Sequence, residues 1–210
     1  MATNFCATTG DGAATLRARP AITGVVLAGG LGRRMGGVDK GLQQLNGQTL
    51  VAQIAGRLRP QVDALMINAN RNAARYAELG YPVVADAIPD FAGPLAGLHA
   101  ALSAATTPLV VTVPCDSPFF PVDLVSRLFS VLTAQQAEIA VAQTGEQAQP
   151  VFCLCRREVL PHLTAYLQAG ERKFARWYAS LPAVAVPFDD QLMAFENINS
   201  LAELARFEHR

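Results

Sequence analysis

The residues best suited to chemistry lie in one stretch, 27–42, which reads LAGGLGRRMGGVDKGL. Six of its sixteen residues are glycine, and Arg33, Arg34 and Lys40 set three cations against the single carboxylate of Asp39. Glycine lets a backbone approach a ligand closely and aim several N–H groups at anionic oxygens. With the cations beside them, these groups suit a triphosphate. Two common phosphate patterns do not fit. A P-loop needs GxxxxGK followed by Ser or Thr, whereas Asp39 precedes Lys40 and Gly41 follows it. A dinucleotide fingerprint needs GxGxxG, and Met35 stands where a third glycine would follow Gly30 and Gly32.

Such a loop must be held by regular elements, and the chain alternates strand-like and helix-like segments. Residues 22–28 (ITGVVLA) form a continuous apolar run, as expected of a strand buried on both faces. The pattern then predicts a helix over 50–59 stopped by Pro60, a strand over 64–68, a helix over 72–79 ended by Gly80, and a strand over 83–85. A helix over 94–105, a strand over 109–113 and a helix over 121–134 follow. The second half is less regular: strands over 138–142 and 151–155, helices over 158–169 and 173–180, and short strands over 184–187 and 195–197. Ser200 opens a last helix with Glu203 at the capping-box position. Strand–helix alternation implies a mainly parallel sheet covered on both faces. Ligands of such sheets sit at the carboxyl ends of the strands. That rule selects residues 27–32, Asn68, Asp86 and Asp116 on topology alone.

The chain has 210 residues, 51% hydrophobic and 16% charged, which is ample for a core and too apolar for disorder. Its formal net charge is zero, so nothing in the whole-protein field favours a nucleic acid or a membrane surface. No apolar run approaches the ~20 residues that span a bilayer. Residues 1–21 are rich in Ala, Thr and Gly without an apolar signal core, and are expected to be a disordered leader ahead of one domain over 22–210. Cys6, Cys115, Cys153 and Cys155 show no metal-binding spacing, and Cys153 and Cys155 share one face of a strand as small buried groups. A reducing, cytoplasmic setting is the expectation. His99, His162 and His209 match no ligand spacing, and Trp177 and Tyr178 are expected in the core.

The stretch Leu27-Ala28-Gly29-Gly30-x-Gly32-x-Arg34-Met35-Gly36 resembles the signature of glycine-rich nucleotidyltransferases. Sugar-phosphate members place Pro-Lys near the end of this loop. Asp39-Lys40-Gly41-Leu42 instead is similar to the molybdenum cofactor guanylyltransferase family. The similarity continues through Asn68-Ala69-Asn70-Arg71, Asp86, the GPLAG run over 93–97, Pro114-Cys115-Asp116 and Asn197-x-Asn199. Gln149-Pro150 departs from it, standing where a more polar pair would be expected.

The resemblance implies a three-layer α/β/α, Rossmann-like nucleotidyltransferase fold with a mainly parallel, mixed sheet. It implies transfer of GMP from GTP to the terminal phosphate of molybdopterin, with pyrophosphate released. Leu27, Ala28 and Gly29 would contact the nucleotide through their backbone, Lys40 its phosphates, and Asn68 and Asp86 its base or ribose. Asp116 would bind the nucleotide through Mg²⁺, an ion content with one or two protein oxygens. Arg34, Lys40 and Asp116 would be the catalytic set. The GPLAG run would wall the base pocket. The expected partners are GTP, molybdopterin and other proteins of molybdenum cofactor biosynthesis or acceptor apoenzymes, with the chain a monomer. A molybdopterin cytidylyltransferase or another small-molecule phosphate nucleotidyltransferase is the alternative, because backbone contacts to phosphate and ribose do not choose a base. A non-catalytic nucleotide-binding regulatory module on the same fold is the alternative from another class.

Overall fold

The structure is a computed structural model, and residues 19–30, 38–88 and 93–207 are described. Residues 1–18, which make up most of the expected leader, and residues 31–37, with Arg33 and Arg34, lie outside the described residues.

The elements follow the expected alternation: β1 (Ile22–Leu27), β2 (Gln44–Leu45), β3 (Gln48–Thr49), α1 (Leu50–Leu58), β4 (Ala64–Asn68), α2 (Ala73–Ala77), β5 (Val83–Val84), α3 (Pro94–Ala104), β6 (Leu109–Pro114) and α4 (Leu124–Ala134). Then come β7 (Ile139–Thr144), β8 (Gln147–Arg156), α5 (Leu160–Gln168), α6 (Phe174–Tyr178), β9 (Ala183–Pro187) and α7 (Leu201–Phe207). Seven strands form one sheet in the order β5-β4-β1-β6-β8-β7-β9. Strands β5, β4, β1 and β6 are parallel, β8 runs antiparallel to both β6 and β7, and β9 is parallel to β7. The sheet is therefore mainly parallel and mixed, as expected.

Side-chain alternation sends each central strand's residues to two separate cores. On one face Ile22, Val26, Val111 and Leu154 pack with Ile54 and Leu58 of α1 and Leu124 and Leu128 of α4. On the other, Val25, Val110, Cys153 and Cys155 pack with Leu95 and Leu98 of α3, Leu163 of α5 and Trp177 of α6. Both cysteines thus share a face, and Trp177 is fully buried. The two helix layers around one sheet make the three-layer fold.

Two expectations need correction, and one element was not expected. The helix expected from Pro121 begins at Leu124, since Leu124 N–H already bonds the Pro121 carbonyl in a turn. No strand forms at 195–197: Phe195 ends a 3-10 turn and buries its ring against Phe152 and Phe188. The β2–β3 ribbon was absent from the pattern because Asn46-Gly47 joins strands of only two residues. None of the helices among the described residues is long and apolar enough to cross a membrane.

Candidate active site

Strands β1, β4 and β6 end level with one another, Leu27 pairing with Asn68 on one side and Pro114 on the other. Asn68 pairs in turn with Val84. This shared edge carries the functional side chains. A cleft of about 950 Å³ opens on it, bounded on the sheet side by Leu27, Ala28, Gly29, Asn68, Asp86 and Asp116, with Lys40 at its rim. Residues 147–152 of β8, the part of that strand beyond its pairing with β6, form a further wall. Every described residue that the loop and topology selected therefore meets in one place.

Asp86 is held rather than free. Asn68 Nδ2 donates to its Oδ1 at 2.8 Å and Asn70 Nδ2 to its Oδ2 at 2.7 Å, while Asp86 N–H donates to Asn70 Oδ1 at 2.8 Å. Asn68 also donates to the Val84 carbonyl at 3.2 Å, so both of its amide protons are committed. The closeness of these groups explains two glycines. A Cβ on Gly29 would lie 3.0 Å from Asn70 Nδ2, and one on Gly97 would lie 2.5 Å from Asn68 Oδ1. Gly97 is therefore the floor under Asn68, while Gly93 and Pro94 of the same run line the cleft.

At the other end, Lys40 Nζ donates to Asp116 Oδ2 at 3.1 Å and to Asn199 Oδ1 at 2.9 Å. Both ionic side chains are 19% exposed, so their charges face the cleft through partial burial. The segment after β9 reaches them by returning across the sheet. Ile198 N–H donates to the Asp116 carbonyl at 2.7 Å, and Ser117 Oγ donates to Asn197 Oδ1. Glu203 Oε2 accepts from Asn199 N–H at 2.6 Å, and Ser200 Oγ from Glu203 N–H at 3.1 Å. The Ser200 bond is that of the expected capping box, while the Glu203 carboxylate reaches one residue further back and holds Asn199 beside Lys40.

Asp39 accepts from Tyr76 Oη at 2.5 Å and from Asn72 Nδ2 at 2.9 Å. Burial, then the bond to Asp39, drives the Tyr76 phenol far above its ordinary pKa, so it remains a donor. Cys115 adjoins Asp116, yet burial and then the Asp116 charge push its thiol well up, which disfavours the thiolate. His162 accepts from Trp177 Nε1 and His99 bonds Thr164, so neither points chemistry at the cleft. The contributions that sequence reasoning missed are the clasp by Asn70, the bonds of Tyr76 and Asn199, and the β8 wall. Asn70 and Asn199 lay inside matching motifs, but nothing local revealed their partners 16 and 159 residues away.

Comparison with known proteins accords with this geometry. Residues 24–184 match the MobA-like NTP transferase domain. A molybdenum cofactor guanylyltransferase from Cupriavidus taiwanensis is 52% identical over 198 residues, covering 92% of this chain and 99% of the relative. One from Ralstonia nicotianae is also 52% identical, covering 90% and 97%. Among solved structures, molybdopterin-guanine dinucleotide biosynthesis protein A from Archaeoglobus fulgidus aligns with a TM-score of 0.72 at 22% identity, covering 89% of this chain and 97% of that one. The 4-diphosphocytidyl-2C-methyl-D-erythritolsynthase of Anaerococcus prevotii aligns at 0.69 with 10% identity, covering 90% and 97%. These two likenesses establish the fold alone. The sequence relatives and the matched domain go further: the chain is a nucleotidyltransferase, belonging to the MobA-like NTP transferase family and within it to the molybdenum cofactor guanylyltransferases.

Proposed function

We propose that the cleft transfers GMP from GTP to the terminal phosphate of molybdopterin, forming the guanine dinucleotide cofactor and releasing pyrophosphate. The observation that carries this reading is the meeting of Lys40 and Asp116 beside the glycine-flanked end of β1 in a chain of this family. Ligand pockets are commonly about 300–1,000 Å³, and a cleft of about 950 Å³ suits two substrates side by side. GTP would lie along Leu27, Ala28 and Gly29, with its base or ribose toward Asn68 and Asp86. Molybdopterin would then face the β8 wall.

A phosphate oxygen of the acceptor attacks the α-phosphorus in line. The bond from that phosphorus to the β-bridging oxygen breaks, and pyrophosphate leaves with the electron pair. A phosphate monoester is largely ionised at neutral pH, so no general base is needed, and catalysis reduces to positioning and charge neutralisation. The burial of Cys115 and the structural bonds of His99 and His162 are compatible with that. Lys40 would hold the triphosphate, and Arg34 would offset charge on the leaving pyrophosphate. Among the described residues no three His, Cys, Asp or Glu side chains cluster as a metal cage. A single carboxylate at a phosphate site is the donor set that Mg²⁺ tolerates, so Asp116 would hold the ion, which supplies charge neutralisation on the phosphates. The free buried thiols of Cys115, Cys153 and Cys155 fit a reducing cytoplasm.

The test is pyrophosphate release from GTP, CTP, ATP and UTP, each with purified molybdopterin. GTP should turn over, and Asp116→Ala should lose about a hundredfold or more while its melting temperature holds. Preference for CTP would make the chain a cytidylyltransferase. Release from no nucleotide would leave a binding module.

A further inference from the structure

Asp39 has no part in the proposed chemistry, yet it is among the most carefully bound carboxylates in the chain. It immediately precedes Lys40, at the entry to the 3-10 turn Lys40–Leu42. One oxygen takes the Tyr76 phenol and the other the Asn72 amide, and its carbonyl accepts from Gln43 Nε2 at 3.1 Å. Both side-chain donors are neutral, and Asp39 forms no ion pair among the described residues. Tyr76 is fully buried, whereas Asn72 is exposed and holds a left-handed backbone with φ of 52°. Gly41 completes the arrangement: a Cβ there would lie 2.6 Å from Tyr76 Oη.

We propose that Tyr76 and Asn72 are positioning residues that latch Asp39 to α2 and its N-cap and so fix the point from which Lys40 reaches the nucleotide. The triplet Asp39-Lys40-Gly41 then divides its labour: an anchor, a cation, and a gap that admits the phenol. Neutral donors suit the task. A cation on Asp39 would be drawn toward an arriving triphosphate, whereas a phenol and an amide hold the carboxylate without competing for the phosphates. The turn is too short to absorb slack, because Asp39 and Lys40 share a peptide unit. Loosening the carboxylate therefore moves the Lys40 backbone directly.

This inference rests on the reading that Lys40 binds the triphosphate, and the experiment separates the two. KM and kcat for GTP, calorimetric GTP affinity and melting temperature would be measured for Lys40→Ala, Tyr76→Phe and the double variant. Asn72→Gly, which keeps the left-handed backbone, provides a second probe should Tyr76→Phe fold poorly. Loss of a hydrogen bond to a charged group predicts a rise of about tenfold in KM for GTP in Tyr76→Phe, with kcat changed less. In the Lys40→Ala background the same substitution should add less than about twofold, because its effect is carried by a side chain no longer present. A purely structural Tyr76 would lower the melting temperature and impose the same penalty in both backgrounds, which would overturn the latch. Unaltered GTP binding in Lys40→Ala would overturn the assignment of Lys40 and the latch with it.

Gly41→Ala supplies the independent arm. It should bind GTP poorly on its own and recover in part when Tyr76→Phe removes the oxygen facing the new methyl. A double variant as impaired as the product of the two singles, or more, would also refute the latch.

Discussion

Consider Gly97→Ala, where local and tertiary effects oppose each other. Gly97 lies inside α3, and alanine is favoured over glycine in a helix by about 1 kcal/mol. On local grounds the substitution stabilises. The tertiary structure reverses the sign. The new methyl would lie 2.5 Å from Asn68 Oδ1 and 3.0 Å from Leu27 Cδ2, so at least one neighbour must move. Both are buried, at 2% and 9% exposure, and the Asn68 amide is tied on its nitrogen side to Val84 and Asp86. Overpacking a tight site costs about 1–3 kcal/mol. If Asn68 rotates away, its bond to the Asp86 carboxylate goes too, a loss of about 1.5–3 kcal/mol. Against the helix gain, a net destabilisation of about 2 kcal/mol results, which is roughly 4–8 °C in melting temperature for a chain of this size. The assay is thermal unfolding with GTP calorimetry alongside. Gly56→Ala in α1 is the control: its Cβ meets nothing within 4 Å, so the helix gain should appear undiluted. A Gly97→Ala protein as stable as Gly56→Ala, with native GTP affinity, would refute the reasoning.

Asn70→Ala removes one side of the clasp on Asp86 and should weaken GTP binding by about tenfold, with a small loss of stability, as read by calorimetry. Burial raises the thiols of Cys115 and Cys155 well above their ordinary range and that of Cys153 to about 12, partly opposed there by Thr112. A Cys6→Ser variant should therefore show almost no reaction with a disulfide reagent at pH 8 until denatured, when three thiols appear. His99 yields a pH prediction. Thr164 donates its hydroxyl to the Leu160 carbonyl, so it accepts from His99 Nε2–H, and the bare Nδ1 is buried without a partner. Burial depresses the His99 pKa, with Asp86 pulling the other way. The unfolded chain therefore takes up the proton first as pH falls. The contribution of His99 to stability is complete above 6.5 and is lost as pH falls from there through the lower folded value. Denaturant midpoints between pH 7 and 5 should show this slope, and His99→Gln should flatten it.

The apolar run of β1, the alternation of strand and helix, and the glycine- and cation-rich loop after Leu27 were legible as residues alone. Patterning of this kind is local, and a buried parallel strand can be read from its own residues. The rule that ligands meet the carboxyl ends of parallel strands then selected Asn68, Asp86 and Asp116, because strand ends can be counted in one dimension. Irregular structure was harder to read: Phe195 looked like a strand residue, and its burial against Phe152 and Phe188 made it the end of a turn. What only the tertiary structure decided was which groups hold the functional ones. Asn199 meets Lys40 because the last segment folds back over β6, and Tyr76 meets Asp39 because α2 packs beside the turn at Lys40. Asn68, which looked like a nucleotide reader, has both amide protons committed to Val84 and Asp86. Hydrogen bonds between distant residues carry no periodic trace in a sequence, since their geometry exists only once the chain has closed.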